Sequence, residues 1–505
     1  MNKIRSRFAP SPTGFLHIGS LRTAIFAYLT AKSMGGDFLL RIEDTDQSRE
    51  VLGAAENLVK VLKFFDIVFD EGPGVGGDYG PYTQSERKEI YQKHVKIALE
   101  NDGAYHCFCT SERLDEMRKE QTEKKLPPRY DRRCRDLSKD EVEKRIAAGE
   151  KFVIRQKMLL EGDVVVNDGL RGEIKFNAKE LEDHVLIKTN GIPTYQFANV
   201  VDDHLMEISH VVRAEEWIPS FPKNILLYKV FGWEPPKFYH MPLTLNKEGG
   251  KLSKRKNDVS VENYLEKGYL PDAIINFCAL LGWRPKNSDA EIFNREELLK
   301  VFRIEDMGTS PAIFDLEKLD YLNGYYIRRM DLDELSEKAA PYLERYWGSK
   351  DPLGPSVERV SGSHAGKLMK PFKDFDANYL KNVIRLEQER MKKLSDIGEL
   401  TKFFFSKPEY ESDLLAWKKI TKEQAVENLK KVYELLDKIP EENWTNDSIE
   451  EGVLSYLQAK ELKIGEYLWP LRACLTGEKA SPSPFDVAEV LGKKESLARV
   501  TKAIS

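Results

Sequence analysis

The stretch Arg7-Phe8-Ala9-Pro10-Ser11-Pro12-Thr13-Gly14-Phe15-Leu16-His17-Ile18-Gly19-Ser20 leaves few ways for this chain to begin folding. Ile4 to Phe8 is short and suits a strand. Pro10 and Pro12 lack the N–H that a central strand needs, so the strand ends before them. Thr13-Gly14 turns the chain. Leu21, Ala24, Ile25, Tyr28 and Leu29 then recur at helical spacing. The pattern predicts a strand–loop–helix joint holding His17 and Gly19, with the helix N-terminus just behind them. Such a joint offers unpaired N–H groups and a positive dipole end to phosphate. Gly19 lets a nucleotide approach the backbone. His17 can donate to a phosphate oxygen whose charge grows in a transition state. For His17 taken alone, a turn with a satisfied histidine is the simpler reading.

A second segment changes that balance. Lys251-Leu252-Ser253-Lys254-Arg255 follows about 230 residues later, behind Asn246-Lys247-Glu248-Gly249-Gly250. Lys251 to Lys256 places four cations in six residues. A glycine-hinged cationic loop can close over a triphosphate and neutralise a leaving pyrophosphate. By itself it reads equally as a solvated basic turn.

Together the two segments resemble the two signatures of class I aminoacyl-tRNA synthetases, His-Ile-Gly-His and Lys-Met-Ser-Lys-Ser. Ser20 replaces the second His, Leu252 replaces Met and Arg255 replaces the last Ser. Those departures match the glutamyl branch. Three further blocks resemble the glutamyl/glutaminyl group: Arg41-Ile42-Glu43-Asp44-Thr45-Asp46, the run Pro193 to His204, and Val212-Arg213-Ala214-Glu215-Glu216-Trp217. Over its whole length the chain resembles the bacterial-type glutamyl enzymes.

The resemblance implies an α/β fold: a Rossmann-type catalytic domain with an α+β insertion, a stem-contact domain and an all-α anticodon-binding C-terminal half. The expected boundaries are 1–100 and 196–245 for the catalytic domain and 101–195 for an acceptor-end insertion. They continue with 246–330 for the stem-contact domain and 331–390 and 391–505 for two helical anticodon domains. The residues agree in outline. Asp37 to Ile42, Phe152 to Arg155 and Asp163 to Val166 read as strands, and Glu71 to Gly77 as a loop. Leu380, Val383, Ile384 and Leu386-Glu387 lead into what reads as a long charged helix. Ala425, Leu429, Val432 and Leu435-Leu436 repeat at helical steps. Weak β-type alternation in this half disfavours the glutaminyl enzymes, whose anticodon end is built of β-barrels. Gly348 to Lys367 is rich in Gly, Pro and Ser and reads as a loop or partial disorder.

The implied reaction is attack of the glutamate carboxylate on the α-phosphate of ATP, then transfer of the acyl group to the 3′-terminal ribose of tRNA(Glu). Acceptance of tRNA(Gln) is left open. Mg²⁺ accompanies ATP. The resemblance gives His17, Gly19, Lys251, Ser253, Lys254 and Arg255 to ATP, with His17 and Lys254 catalytic. It gives Arg7, Ala9, Ser11, Glu43, Tyr195, Asn199 and Arg213 to L-glutamate. Glu43 suits the α-ammonium, and Arg7 and Arg213 suit carboxylates. A salt bridge in the α/β core explains Glu43 or Arg213 singly about as well. Trp217 suits core packing or a substrate contact.

Cys107-Phe108-Cys109 and Cys134 suit a structural zinc, and the resemblance offers Asp136, standing where some glutamyl enzymes have a histidine, or Tyr130 as the fourth ligand. Three free thiols are the other reading. Cys278 and Cys474 sit in apolar runs and read as core. An odd total of five cysteines, with no apolar N-terminal stretch, points to a reducing cytoplasm rather than a disulfide framework. No apolar run of about 18 residues occurs, so no membrane helix is expected. At 505 residues the chain exceeds one hydrophobic core. Its net charge of −5 leaves tRNA to local basic stretches such as Arg113 to Arg145 and Lys418 to Lys431. A monomer is implied. Two other readings compete: a tRNA-binding protein without activity, which the intact His17 and Lys254 oppose, and a nucleotidyltransferase unrelated to tRNA, which leaves three blocks unexplained.

Overall fold

The structure is a computed structural model that describes residues 3–250, 260–348 and 376–505. Lys251, Ser253, Lys254 and Arg255, and nearly all of the Gly/Pro/Ser-rich stretch, lie outside the described residues. The chain divides into two units: Met1–Val261 with Ile274–Leu316, and Glu262–Ala273 with Glu317–Ser505.

The first unit contains eleven described strands. They are β1 (Arg5–Phe8), β2 (Asp37–Leu40), β3 (Ala104–Cys107), β4 (Val153–Gln156), β5 (Asp163–Asp168), β6 (Gly172–Asn177), β7 (Val185–Ile187), β8 (His210–Ala214), β9 (Lys237–Met241), β10 (Thr244–Asn246) and β11 (Ala312–Phe314). A six-stranded sheet runs β2-β1-β8-β9-β5-β6. All its pairs are parallel except β5 with β6. Every residue of β1 is buried, as a parallel strand covered on both faces requires. The helix Ile18–Lys32 packs along it and is buried nearly all round, at Leu21, Ala24, Ile25, Phe26, Ala27 and Leu29 among others.

The stretch 101–195, expected as one insertion, serves two sheets. β3, β4 and β7 form a separate antiparallel sheet, whereas β5 and β6 extend the catalytic one. The alternating burial of Asp163–Asp168 puts Val164 and Val166 into the main core. The stretch 246–330 is divided as well. Residues 262–273 join the helical unit because the buried Asn323 side chain accepts from Leu270 N at 2.7 Å and donates to Lys392 O at 2.6 Å.

The second unit is helical; among the described residues no strand follows Phe314. Ala425, Leu429, Val432 and Leu436 enter one core with residues of Asn446–Ala459, Ile464–Thr476 and Pro484–Leu491. The long charged helix expected after Leu386 does not form. The helix Ala377–Glu387 stops, and Gln388 Nε2 donates to Ile327 O and Met330 O, each at 2.9 Å. Those side-chain bonds fix a turn where polarity alone suggests a continuing helix. Among the described residues no helix is long and apolar enough to cross a membrane.

Candidate active site

His17 is itself the N-cap of the helix Ile18–Lys32. Its Nδ1 accepts from Ser20 N at 3.2 Å, so the ring proton lies on Nε2, which is 3.0 Å from Ser20 Oγ. Ser20 thus hydrogen-bonds the signature histidine from the place where a second one is usual. A Cβ at Gly19 would stand 3.2 Å from His17 Cε1 and Nδ1, so glycine lets the ring fold over the first turn. Ser260, the first described residue beyond the basic segment, pairs with His17 as an antiparallel bridge, and Val261 N donates to Leu16 O. Beyond Lys251 to Arg255, the described chain therefore resumes beside His17.

The carboxyl ends of β1, β2, β8 and β9 lie at the same end of the sheet. The chain leaves β1 for β2 on one side and has β8 on the other, a switch point of the kind where open α/β sheets bind ligands. Arg7 on β1 and Arg213 on β8 flank it. Arg7 is buried and donates twice to Asp203, from Nε at 2.9 Å and Nη2 at 3.1 Å. Arg41 donates to Asp203 at 2.8 Å and to Glu43 Oε1 at 2.9 Å. Arg87 and Tyr91 hold Asp202, each at 2.7 Å, and Gln84 Nε2 does so at 2.9 Å. Three guanidiniums here meet three carboxylates. Burial raises Glu43 to about 7, with Arg41 and Arg7 pulling against it. Its Oε2 is buried and has no hydrogen-bond partner among the described residues. Ala9 and Ser11 flank Pro10, whose carbonyl accepts from Glu43 N at 2.9 Å.

Arg213 differs from Arg7 in its partners. It is 5% exposed, yet among the described residues no carboxylate pairs with it. Its Nε donates to His240 Nε2 at 2.9 Å and its Nη2 to Asn224 Oδ1 at 3.2 Å. Burial pulls its pKa down and Arg7 adds to that, while Tyr195 and Asp203 oppose. Asn224 Nδ2 also reaches Asn199 Oδ1 at 3.4 Å, and Asn199 Nδ2 is buried without a partner among the described residues. Tyr195 opens the helix Tyr195–Leu205, and its ring lies 4.5 Å from that of Trp217. The structure thus brings Arg7, Glu43, Tyr195, Asn199 and Arg213 to one end of the sheet. A buried cation without a carboxylate and a buried carboxylate oxygen without a donor fit a ligand that carries both charges.

Residues 3–321 match the family model for the catalytic domain of class I tRNA synthetases (E and Q), and 335–504 match an anticodon-binding domain. The chain is 44% identical to a glutamate–tRNA ligase of Clostridium botulinum (strain Eklund 17B / Type B) over 99% of this chain and 98% of that one. It is 45% identical to one of Clostridium tetani, over 99% and 97%. The chain belongs to the glutamate–tRNA ligases, class I aminoacyl-tRNA synthetases. As such a ligase it uses ATP and binds glutamate and tRNA. A solved glutamate–tRNA ligase of Elizabethkingia meningosepticum, in complex with its amino acid, superposes with a TM-score of 0.85 at 36% identity, covering 100% of this chain and 99% of that one.

The sulfur cluster of this ligase lies at the end of β3. The Sγ atoms of Cys107, Cys109 and Cys134 lie within 4.8 Å of one another. Tyr130 Oη is 3.2 Å from Cys107 Sγ and 3.6 Å from Cys109 Sγ. Asp136 is exposed and outside the cluster. Hydrogen bonding to Cys134 leads in holding the Cys107 thiol low, at about 4, against burial. Cys134 and Tyr130 are pushed up, Cys134 chiefly by its bond to Cys107 and Tyr130 chiefly by burial. Three sulfurs and one oxygen converging in a largely buried pocket suit a tetrahedral zinc. Cys278 and Cys474 are buried core.

Sequence reasoning about the ligase missed Arg41, Gln84, Arg87, Asp202, Asp203, Asn224, Asp168 and His240. Arg41, Asp202 and Asp203 stood inside blocks already singled out. The others carry no local signal, since their partners lie far off in sequence. In the stretch Arg113 to Arg145 several cations are already ion-paired within the chain, for instance Arg113 with Asp131 and both Arg132 and Arg135 with Asp183.

Proposed function

We propose that glutamate lies across the switch point with its α-ammonium on Glu43 and its side-chain carboxylate on Arg213, and that Arg7 adds a second guanidinium. The observation that carries this is the pair of groups unmet among the described residues, Arg213 without a carboxylate and Glu43 Oε2 without a donor. Ala9, Ser11, Tyr195 and Asn199 complete the pocket. Glutamine would leave Arg213 buried against an amide, and unpaired buried charge is the stronger route to discrimination.

ATP, entering with Mg²⁺, places its phosphates at the N-terminus of Ile18–Lys32. His17 Nε2–H and Gly19 meet them, and Lys251, Ser253, Lys254 and Arg255, which lie outside the described residues, supply further donors and positive charge. Arg7, Arg213 and Glu43 hold the attacking α-carboxylate by orienting the rest of the amino acid; no residue forms a covalent intermediate. His17 and Lys254 stabilise charge as pyrophosphate leaves.

We further propose that zinc is held by Cys107, Cys109, Tyr130 and Cys134, with Asp136 left out. Five unpaired cysteines support a reducing cytoplasm, and we place the enzyme there as a monomer. Charging of tRNA(Glu) and tRNA(Gln), side by side, with glutamate and glutamine tests the reading. Glutamyl esters on tRNA(Glu) are expected, and formation of glutamyl-tRNA(Gln) would add the second acceptor. Pyrophosphate exchange with glutamine but not glutamate would refute the pocket assignment.

A further inference from the structure

We infer that Asp168 and His240 are positioning residues for Arg213, and so set the preference for a side-chain carboxylate over an amide. The inference rests on the assignment of Arg213 to that carboxylate. The three residues occupy three neighbouring strands. Arg213 on β8 stands in direct register with His240 on β9, and Asp168 closes β5, the next strand. His240 and Asp168 have fully buried side chains. His240 Nδ1 lies 2.6 Å from Asp168 Oδ2, and Arg213 Nε donates to His240 Nε2 at 2.9 Å.

These contacts fix the tautomer. A guanidinium N–H can only donate, so His240 Nε2 carries the lone pair and Nδ1 carries the proton. Nδ1–H then donates to Asp168. The carboxylate is itself anchored: Oδ1 accepts from Leu170 N and Arg171 N, each at 3.0 Å, and Oδ2 also accepts from His240 N at 3.0 Å. Arg213 Nη2 is tied to Asn224, and the guanidinium carbon stands 5.1 Å from the centre of the Phe238 ring. One edge of the fork is therefore fixed by neutral acceptors.

The consequence concerns what Arg213 has left to give. Asp203 binds Arg7 directly and occupies two of its donors. Asp168 acts on Arg213 only through an imidazole. It orients the guanidinium without covering it, and the charge remains available to an incoming carboxylate. Converting Asp168 to an amide would let the amide donate to Nδ1 and drive the proton to Nε2, where it opposes Arg213 Nε–H. An acidic partner that sets a histidine tautomer is known to matter strongly in this way.

The test uses the full-length enzyme with tRNA(Glu) in pyrophosphate exchange, on D168N, H240L, H240Q and, as reference, R213A. D168N and H240L are expected to raise the KM for glutamate about 10- to 100-fold, with the KM for ATP within about twofold of wild type. The kcat/KM ratio of glutamate over glutamine should fall in both. H240Q keeps an amide oxygen for Arg213 and an amide N–H for Asp168, and should recover most of the loss. A merely structural role would instead raise both KM values and lower kcat together, and that result overturns the inference. Wild-type KM and selectivity in D168N and H240L beside an impaired R213A overturns it while leaving the pocket assignment standing. An unimpaired R213A sinks the assignment and the inference with it. Should H240L not fold, a KM for D168N well above that of H240Q supports the inference, and equal values overturn it.

Discussion

Glu43 gives the sharpest test of the pocket because its ionisation is poised. Burial raises its carboxyl to about 7, and Arg41, bound to Oε1, is not enough to bring it back. Arg7 also lowers it, Asp203 raises it, and Gln84 Nε2 is 3.5 Å from Oε1. Only the ionised form can pair with an ammonium at Oε2. About a tenth of the free enzyme is then competent at pH 6, about half at pH 7 and about nine-tenths at pH 8. Because apparent affinity scales with the competent fraction, the KM for glutamate should fall roughly tenfold from pH 6 to pH 8. Binding at pH 7 should expel about half a proton, as the ammonium pulls the carboxyl down.

Stability has the matching sign. The folded value lies above the ordinary carboxyl value of about 4.5, so the contribution of Glu43 is fully present below about 4.5 and is lost as pH rises through 7. The loss is on the order of 3 kcal/mol. Saturating glutamate should restore part of it, and the thermal shift by glutamate should therefore be larger at pH 8 than at pH 6. Titration calorimetry in phosphate and in Tris at pH 7 reads the released proton as a difference in apparent enthalpy. Glu43→Gln should abolish that difference and flatten the KM profile at a high value. Equal enthalpies in both buffers with the wild-type enzyme, together with a flat KM from pH 6 to 8, would refute the argument.

Three other outcomes are expected. His17→Ala and Lys254→Ala should each lower kcat for pyrophosphate exchange about 10²- to 10³-fold, the usual cost of one donor to developing charge, with an unchanged circular dichroism spectrum. Cys107→Ser should lose zinc by metal analysis and Tyr130→Phe should bind it more weakly, whereas Asp136→Asn should keep wild-type content; loss of metal in Asp136→Asn would return that residue to the ligand set. Asn323→Ala removes bonds to Leu270 N and Lys392 O in a fully buried site and should cost roughly 2–4 kcal/mol in urea unfolding of the helical unit.

What the sequence disclosed and what it hid divide along a physical line. The joint at Pro10 to His17 was readable because proline chemistry, a turn and helical spacing are all local, and the structure places β1 and the helix Ile18–Lys32 there. The apolar steps Ala425, Leu429, Val432 and Leu436 were readable for the same reason. The helix end at Glu387 was not, because it is set by bonds from Gln388 to carbonyls some sixty residues away in sequence. In the pocket, Glu43 illustrates why a single position resists reading. A core salt bridge and a substrate contact were rival accounts, yet its two oxygens are placed differently: Oε1 pairs with Arg41, and among the described residues Oε2 has no partner. Arg213 shows the converse. Nothing in Val212 to Trp217 tells an arginine with a carboxylate from one without, since the partner that decides it, Asp168, acts through His240 from a strand that reads as part of an insertion. With Arg213 on the side-chain carboxylate as proposed, selectivity for that charge depends less on the arginine itself than on which neighbours leave its charge uncovered, and parallel strands arrange such neighbours in register with no trace in the local sequence.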